Sequence, residues 1–285
     1  MAKNSSNPRI FTLNCKGRLI LLDKPQVMGI INITPDSFYQ GSRFSIPAEI
    51  IKQFERMISD GADIIDIGGQ STRPGSERIQ VDEELSRVVP VIELLFKEFP
   101  QSIISIDTFY SRVAAESVEA GACIVNDISC GAIDADMISV VAGLNVPYVC
   151  MHAGSVSDIK RSPPVYENVT SEILDFLIQK TDACRLGGIK DVIIDPGFGF
   201  GKTIRNNFEL LKNLGVFRIL DKPLLLGVSR KSTIYKTLNT SPDQALNGST
   251  VLHTMGLMNG ADILRVHDVK EAKETILLYQ QYSRE

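Results

Sequence analysis

None of the five cysteines in this chain of 285 residues stands in a CxxC pair, and Cys15, Cys123, Cys130, Cys150 and Cys184 lack the spacing of a disulfide framework. An odd, scattered set of thiols suits a reducing cytosol, and Cys123 and Cys150, inside apolar runs, read as small hydrophobes. A basic excess is also missing. The net charge of −4 argues against nucleic-acid binding, which calls for a basic face. It leaves room for an anionic small ligand, because a pocket can be locally basic inside an acidic protein. No apolar run approaches the roughly 20 residues that span a bilayer. The start, Met1 to Arg9, has no apolar core behind its basic residues, so no secretory signal is read there. Triplets such as Asn168-Val169-Thr170 are therefore chance matches to a glycosylation site. The expected setting is the cytoplasm, with neither membrane nor nucleic acid as partner. There is no HxxEH, His triad or EF-hand pattern, and hence no dedicated metal cage.

What is present is an ordinary globular composition, 44% hydrophobic and 22% charged, at a length that suits one large α/β unit. Eight short runs rich in Ile, Val and Leu follow one another. They are Val27–Ile31, Asp63–Ile67, Ser102–Ile106, Ala122–Val125, Pro147–Met151, Asp191–Ile194, Pro223–Val228 and Asp262–Val266. Such runs fit parallel strands covered on both faces. Helical spacing predicts helices near 47–60, 81–98, 111–120, 134–143, 166–187, 206–215, 242–259 and 269–283. Cap-like residues at Asp82-Glu83-Glu84, Ser111 and Ser241 open some of them, and Gly61, Gly121, Gly143 and Gly260 close others. The repeat predicts an α/β fold, a (β/α)8 barrel of the TIM type, over residues 25–285. Residues 1–24 form an extension with a short β-hairpin around Asn14-Cys15-Lys16-Gly17 that either closes the barrel bottom or merely decorates it.

Each run ends in polar residues, and in such a barrel the C-terminal strand ends share one mouth. Asp66, Asp107 and Asp195, with Asn126, suit the N–H-rich edge of a heterocycle; Asp107 alone could equally cap the next helix. Arg73, Lys231, Arg265 and His267 are expected as an opposite, cationic pole. Loops after strands seven and eight commonly bind phosphate in this architecture, and Arg265 can grip its oxygens with paired hydrogen bonds. Asn32 could offer an oxygen to magnesium brought by a phosphate ligand. His253 reads as packed inside its helix, and His152 has no obvious partner. The stretch Asp195 to Thr203 resembles a phosphate-binding P-loop, but only three residues separate Gly197 from Gly201-Lys202 where four are required. Its glycines instead let the backbone and Phe200 approach a flat ligand. Two long loops, Thr34–Ile46 and Gly68–Gln80, read as lids.

Together these stretches resemble the dihydropteroate synthase family of the folate pathway. The resemblance is carried, in family order, by Met28 to Phe38, Asp66 to Gly75, Ser105 to Thr108, Asn126 to Ile128, Asp195 to Lys202, Ser229 to Ser232 and Arg265 to Val269. It implies a transferase that condenses 7,8-dihydropterin-6-ylmethyl diphosphate with 4-aminobenzoate, giving 7,8-dihydropteroate and diphosphate. It also implies that Asp107, Asn126, Asp195 and Lys231 hold the pterin, and that Asn32, Arg265 and His267 hold the diphosphate with Mg2+. Thr72, Arg73, Pro74, Phe200, Lys231 and Ser232 would border the aminobenzoate, whose carboxylate could sit at the start of the helix after Ser232. Asn32, Asp107, Lys231, Arg265 and His267 would carry the catalysis, with diphosphate leaving before the amine attacks. Sulfonamides are the expected inhibitors and a homodimer the expected assembly. One departure is Gln70, where family members commonly have Glu; the swap removes a charge and keeps the hydrogen-bonding shape. Two rivals remain: a pterin-binding methyltransferase acting on a corrinoid, and a pterin binder without turnover. Release of diphosphate with and without aminobenzoate separates them.

Overall fold

The computed structural model describes residues 9–33, 46–70, 78–154 and 165–284. Its first elements are β1 (Phe11–Cys15) and β2 (Arg18–Leu22), an antiparallel hairpin. Lys16 and Gly17 form the turn, both at positive φ (52° and 85°). Two-residue hairpin turns require that backbone. Leu13, Cys15 and Leu22 pack against Met28, Ile64, Ile124, Val149, Ile193, Leu225 and Ile263. The hairpin is thus the floor of the barrel.

The barrel strands are β3 (Gln26–Asn32), β4 (Ile64–Gly68), β5 (Ile104–Asp107), β6 (Ile124–Asp127), β7 (Tyr148–Met151), β8 (Val192–Asp195), β9 (Leu225–Leu226) and β10 (Ile263–Val266). They run parallel in the order β8-β7-β6-β5-β4-β3-β10-β9, and a parallel bridge between Ile194 and Leu224 joins the two ends. The expected (β/α)8 barrel with its N-terminal hairpin is the observed fold. The seventh strand is much shorter than its apolar run suggests, only two residues. The helices are α1 (Ile46–Ser59), α2 (Val81–Glu98), α3 (Ser111–Ala120), α4 (Met137–Leu144), α5 (Val169–Leu186), α6 (Ile204–Lys212), α7 (Ser232–Thr237), α8 (Leu246–Met258) and α9 (Val269–Arg284). Helix α7 is the helix expected after Ser232, while the 3₁₀ turn Leu214–Leu220 is an element that the spacing does not predict.

Strand periodicity sets the whole site, because alternate side chains face opposite sides of a sheet. Val27, Ile65, Ile104, Val125, Val192 and Leu264 face outward into the helix-packed core. Met28, Ile64, Ile124, Val149, Ile193 and Ile263 face inward on the floor. Two residues further up the same strands, the inward positions become Asp66, Asn126, Met151, Asp195 and Arg265, and Asp107 stands beside Asn126 in register. One period of two carries each strand from apolar floor to polar mouth.

Several local expectations are corrected. Gln80 and Tyr110, not the acidic run or Ser111, precede α2 and α3 as caps, and neither side chain makes a capping bond. Ser241 likewise caps its 3₁₀ turn without a side-chain bond. Helix α4 runs through Gly143 and ends at the left-handed Asn145. Helix α6 starts earlier than its apolar spacing suggests, because Thr203 and Asn206 form a reciprocal capping box. The cysteines are not all free: Cys130, just past β6, is bonded to Cys150 of the neighbouring β7 as a disulfide. Adjacent parallel strands bring the two residues to a Cα separation of 4.9 Å, which their 20-residue spacing does not reveal.

Candidate active site

The mouth is built on an ionic cluster. Arg265, on β10, donates from Nε to Asp66 Oδ2 on β4 at 2.6 Å and from Nη2 to Asp107 Oδ2 on β5 at 2.5 Å. Asn126 Nδ2 donates to the same Asp66 oxygen at 2.9 Å. Asp66 is fully buried, and among the described residues its Oδ1 has no hydrogen-bond partner. The expected separation of an acidic from a cationic pole therefore fails at Arg265: the inward register that lifts Asp66 and Asp107 into the mouth lifts Arg265 between them. Burial pushes the Asp107 carboxyl up to about 7, with Arg265 opposing the shift and Asp66 and Asp127 adding to it. Arg265 itself loses hydration, which disfavours its charge, but Asp66 and Asp107 more than reverse that effect. Asp107 has Gly68 and Asn126 as its register partners, and the residue that caps α3 is Tyr110.

On the other side, Asp195 ends β8 and Lys231 precedes α7. Asp195 Oδ1 accepts from the Gly197 N–H at 2.7 Å. Burial raises its pKa, opposed by Lys231 and the Gly197 bond. Lys231 is lowered to about 8, first by burial, against the pull of Asp195. Gly227 backs this pair: a Cβ there would lie 3.7 Å from Lys231 Nζ and 4.0 Å from Asp195 Oδ2. The Lys231 ammonium donates to the Phe198 carbonyl and lies 4.6 Å from the centre of the Phe200 ring, in cation–π contact. Ser232, the first residue of α7, is half-buried beside it. Phe109, Ile128, Met151 and Ala153, flanked by Tyr110, Ile133 and Phe200, add an apolar wall at the same end of the barrel.

His267 follows β10, with Nδ1 3.1 Å from Ser229 Oγ, and its backbone N–H donates to that hydroxyl at 3.2 Å. Lost hydration and the cations Arg265, Arg230 and Lys231 hold its imidazole down to about 4, below the ordinary histidine value, with Asp268 opposing. Asn32 ends β3 in register with Gly68 and is exposed at the rim. Among the described residues no group of three or more His, Cys, Asp or Glu could hold a metal ion. Gln70 is buried and its Oε1 accepts from the Ile79 N–H at 2.9 Å, a bond that needs an acceptor and not a charge. Thr72, Arg73 and Pro74 lie outside the described residues, as does most of both long loops.

The sequence reading missed one centre. His152, at the end of β7, does have a partner: its Nδ1 is 3.0 Å from Lys202 Nζ, which is buried. Its trace in the sequence is the Gly201-Lys202 pair after a strand. His253 is buried in α8, as expected.

Buried acids and amides over an apolar wall suit a flat ring rich in N–H groups. A family model described as pterin binding enzyme matches residues 28–267, and the chain belongs to that family. Within the family it stands with the dihydropteroate synthases. It is 40% identical over 266 residues to that of Escherichia coli strain K12, covering 93% of this chain and 94% of the relative. The Xanthomonas albilineans dihydropteroate synthase solved with 4-aminobenzoic acid has a TM-score of 0.90 and 38% identity, covering 96% of this chain and 99% of that one. The Yersinia pestis dihydropteroate synthase in a sulfonamide drug complex gives a TM-score of 0.89 and 37% identity, covering 96% of this chain and 100% of that one.

Proposed function

We propose that this enzyme joins 7,8-dihydropterin-6-ylmethyl diphosphate to 4-aminobenzoate, forming 7,8-dihydropteroate and releasing diphosphate. The observation that carries the reading is the set Asp107, Asn126, Asp195 and Lys231, drawn from β5, β6, β8 and the start of α7 onto one mouth. Asp107 and Asp195 accept from the amino and ring N–H groups of the pterin, Asn126 offers both an acceptor and donors, and Lys231 donates to a ring acceptor. Asp66 orients Asn126 and Arg265 without meeting the ligand itself.

The exocyclic C–O bond breaks with its electron pair leaving on diphosphate, and the electron-rich pterin spreads the positive character left on the methylene. Arg265 and His267 hold the diphosphate oxygens and favour the growing negative charge. Asn32 fits magnesium as a single exposed amide oxygen, the kind of site in which the phosphate ligand supplies the remaining donors. When bound, magnesium would neutralise charge on the leaving group. The aminobenzoate nitrogen then forms the new C–N bond and loses a proton. Phe200, Lys231 and Ser232 border that substrate together with Thr72, Arg73 and Pro74, so positioning and not deprotonation activates the weak amine. Sulfonamides, which share its outline, are the matching inhibitors.

The same reading takes the protein as a cytoplasmic homodimer. No helix among the described residues is long and apolar enough to cross a membrane. Val251, Met255 and Met258 on α8 and Leu277, Leu278 and Tyr282 on α9 are exposed apolar side chains on neighbouring helices, which supports association through that face. Light scattering at working concentration reads the assembly. The reaction is tested by following diphosphate with both substrates present and with each alone. Release that requires aminobenzoate and yields dihydropteroate is expected; methyl transfer to a corrinoid, or binding with no release, would replace this reading with one of its rivals.

A further inference from the structure

Lys202 is a buried ammonium that the reaction above does not use. It follows Gly201 in the loop between β8 and α6, and its Nζ points back inside that loop. It donates to the carbonyls of Gly197 at 2.7 Å, Phe200 at 3.0 Å and His152 at 3.1 Å, and meets His152 Nδ1 at 3.0 Å. Three donors thus serve four acceptors drawn from two strand ends. Burial leaves the ammonium titrating near 7, with Asp195 favouring its charge and Lys231 opposing it. Burial and Lys202 together hold His152 down to about 3, so the imidazole is neutral and free to accept at Nδ1. The loop is seated closely enough that only glycine fits at 197: with φ at +73°, a Cβ there would lie 1.8 Å from the His152 carbonyl oxygen.

The same few residues face the mouth. Phe198 presents the carbonyl that receives the Lys231 ammonium, and Phe200 presents the ring over which that ammonium lies. Outside the loop, the Tyr166 hydroxyl donates to the Gly201 carbonyl at 3.3 Å, and the Gly199 N–H donates to Asn207 Oδ1 at 2.7 Å. Those straps hold the loop's flank; Lys202 holds its interior.

We propose that Lys202 is a positioning residue for aminobenzoate: by gathering the Gly197, Phe200 and His152 carbonyls onto one ammonium, it fixes the Phe198 carbonyl and Phe200 ring that aim Lys231. This rests on the reading of Phe200 and Lys231 as the aminobenzoate border. It makes the Gly-Lys pair a clamp on the protein's own carbonyls, the inverse of a phosphate-binding loop, whose N–H groups face an anion.

The test is steady-state kinetics of Lys202→Met, which keeps the length of the chain and removes every donor. The KM for aminobenzoate is expected to rise about tenfold, the equivalent of one net charge-assisted hydrogen bond. The KM for the pterin diphosphate should rise by less than about threefold, because Lys231 is only one of its contacts and Asp107 and Asn126, on β5 and β6, hold the ring without the loop, whereas Phe200 and Lys231 both border the aminobenzoate. Equal rises for both substrates, or a lowered melting temperature with neither KM changed, would reduce Lys202 to a structural residue. Should K202M fail to fold, His152→Leu is the substitute. It removes one of the four acceptors and keeps the ammonium, so the same split in smaller measure is expected, and its absence overturns the proposal. Wild-type turnover separates the two levels of inference. A wild type that makes no dihydropteroate defeats the proposed function and this role with it, whereas normal wild-type turnover without the split defeats only the role of Lys202.

Discussion

Replacing Arg265 by Ala tests the ionic cluster most sharply, because it strips the cation from two buried carboxylates at once. Removing one partner of a buried pair costs about 3–5 kcal/mol, since the remaining charge is left without compensation. At roughly 2–4 °C per kcal/mol, that is a melting temperature lowered by about 6–20 °C. The loss should depend on pH in a defined direction. Folded Asp107 titrates near 7 and an unfolded aspartate at about 3.9. Between those values the folded protein holds a proton that the unfolded chain has released, so this group's contribution to stability falls as pH rises through that window. Without Arg265 the folded pKa climbs further, and the window extends above 7. The deficit of R265A should therefore be largest at pH 8 and clearly smaller at pH 5.5, where Asp107 carries its proton with or without the arginine. Thermal melts at the two pH values read it directly. A deficit that is equal at both, or larger at pH 5.5, would refute the pairing as the reason Arg265 is there. Arg265 touches the acids that face the pterin, so the variant should also lose pterin affinity and not diphosphate contacts alone.

Further outcomes follow from other parts of the molecule. Lys231→Ala should lower kcat/KM for both substrates about tenfold to a hundredfold, the loss of a charge-assisted hydrogen bond, in steady-state assays. Glu84, on α2, is fully buried, and burial raises its pKa to about 7, opposed first by a side-chain hydrogen bond from Thr108 and then by Arg87, and reinforced by Asp107. Between the ordinary glutamate value and about 7 the folded protein holds a proton that the unfolded chain has released, so stability falls as pH rises through that window, and Glu84→Gln should gain more in a melt at pH 8 than at pH 5.5. Leu13→Ala, in the hairpin floor, should cost about 2–5 kcal/mol in denaturant unfolding and leave both KM values unchanged, because it sits at the opposite end of the barrel from the site.

The parts of this protein that could be read in advance are those governed by short-range rules. Strand ends were legible because an apolar run must stop where a polar side chain enters the mouth, and Asp107, Asn126 and Asp195 lie at such stops. Helices α2 and α3 fell where their spacing placed them. What escaped depends on which strands become neighbours. Arg265 is 199 residues from Asp66, and only barrel closure, with β10 beside β3 and β3 beside β4, brings them together. Lys202 and His152 meet across 50 residues for the same reason, and Cys130 meets Cys150 because β6 and β7 pair. Residue type alone also does not report the cations that surround His267 and lower its pKa.

The proposed reaction requires a pterin in the barrel mouth, and a crystal structure of the protein with a bound pterin measures its place directly. The ring should lie in the barrel mouth with its N–H edge on Asp107, Asn126 and Asp195, within reach of the Lys231 ammonium, and with Arg265 still joined to Asp66 behind it. A ring seated elsewhere, or one in the mouth with Asp107 and Asp195 making no contact to it, would contradict the account.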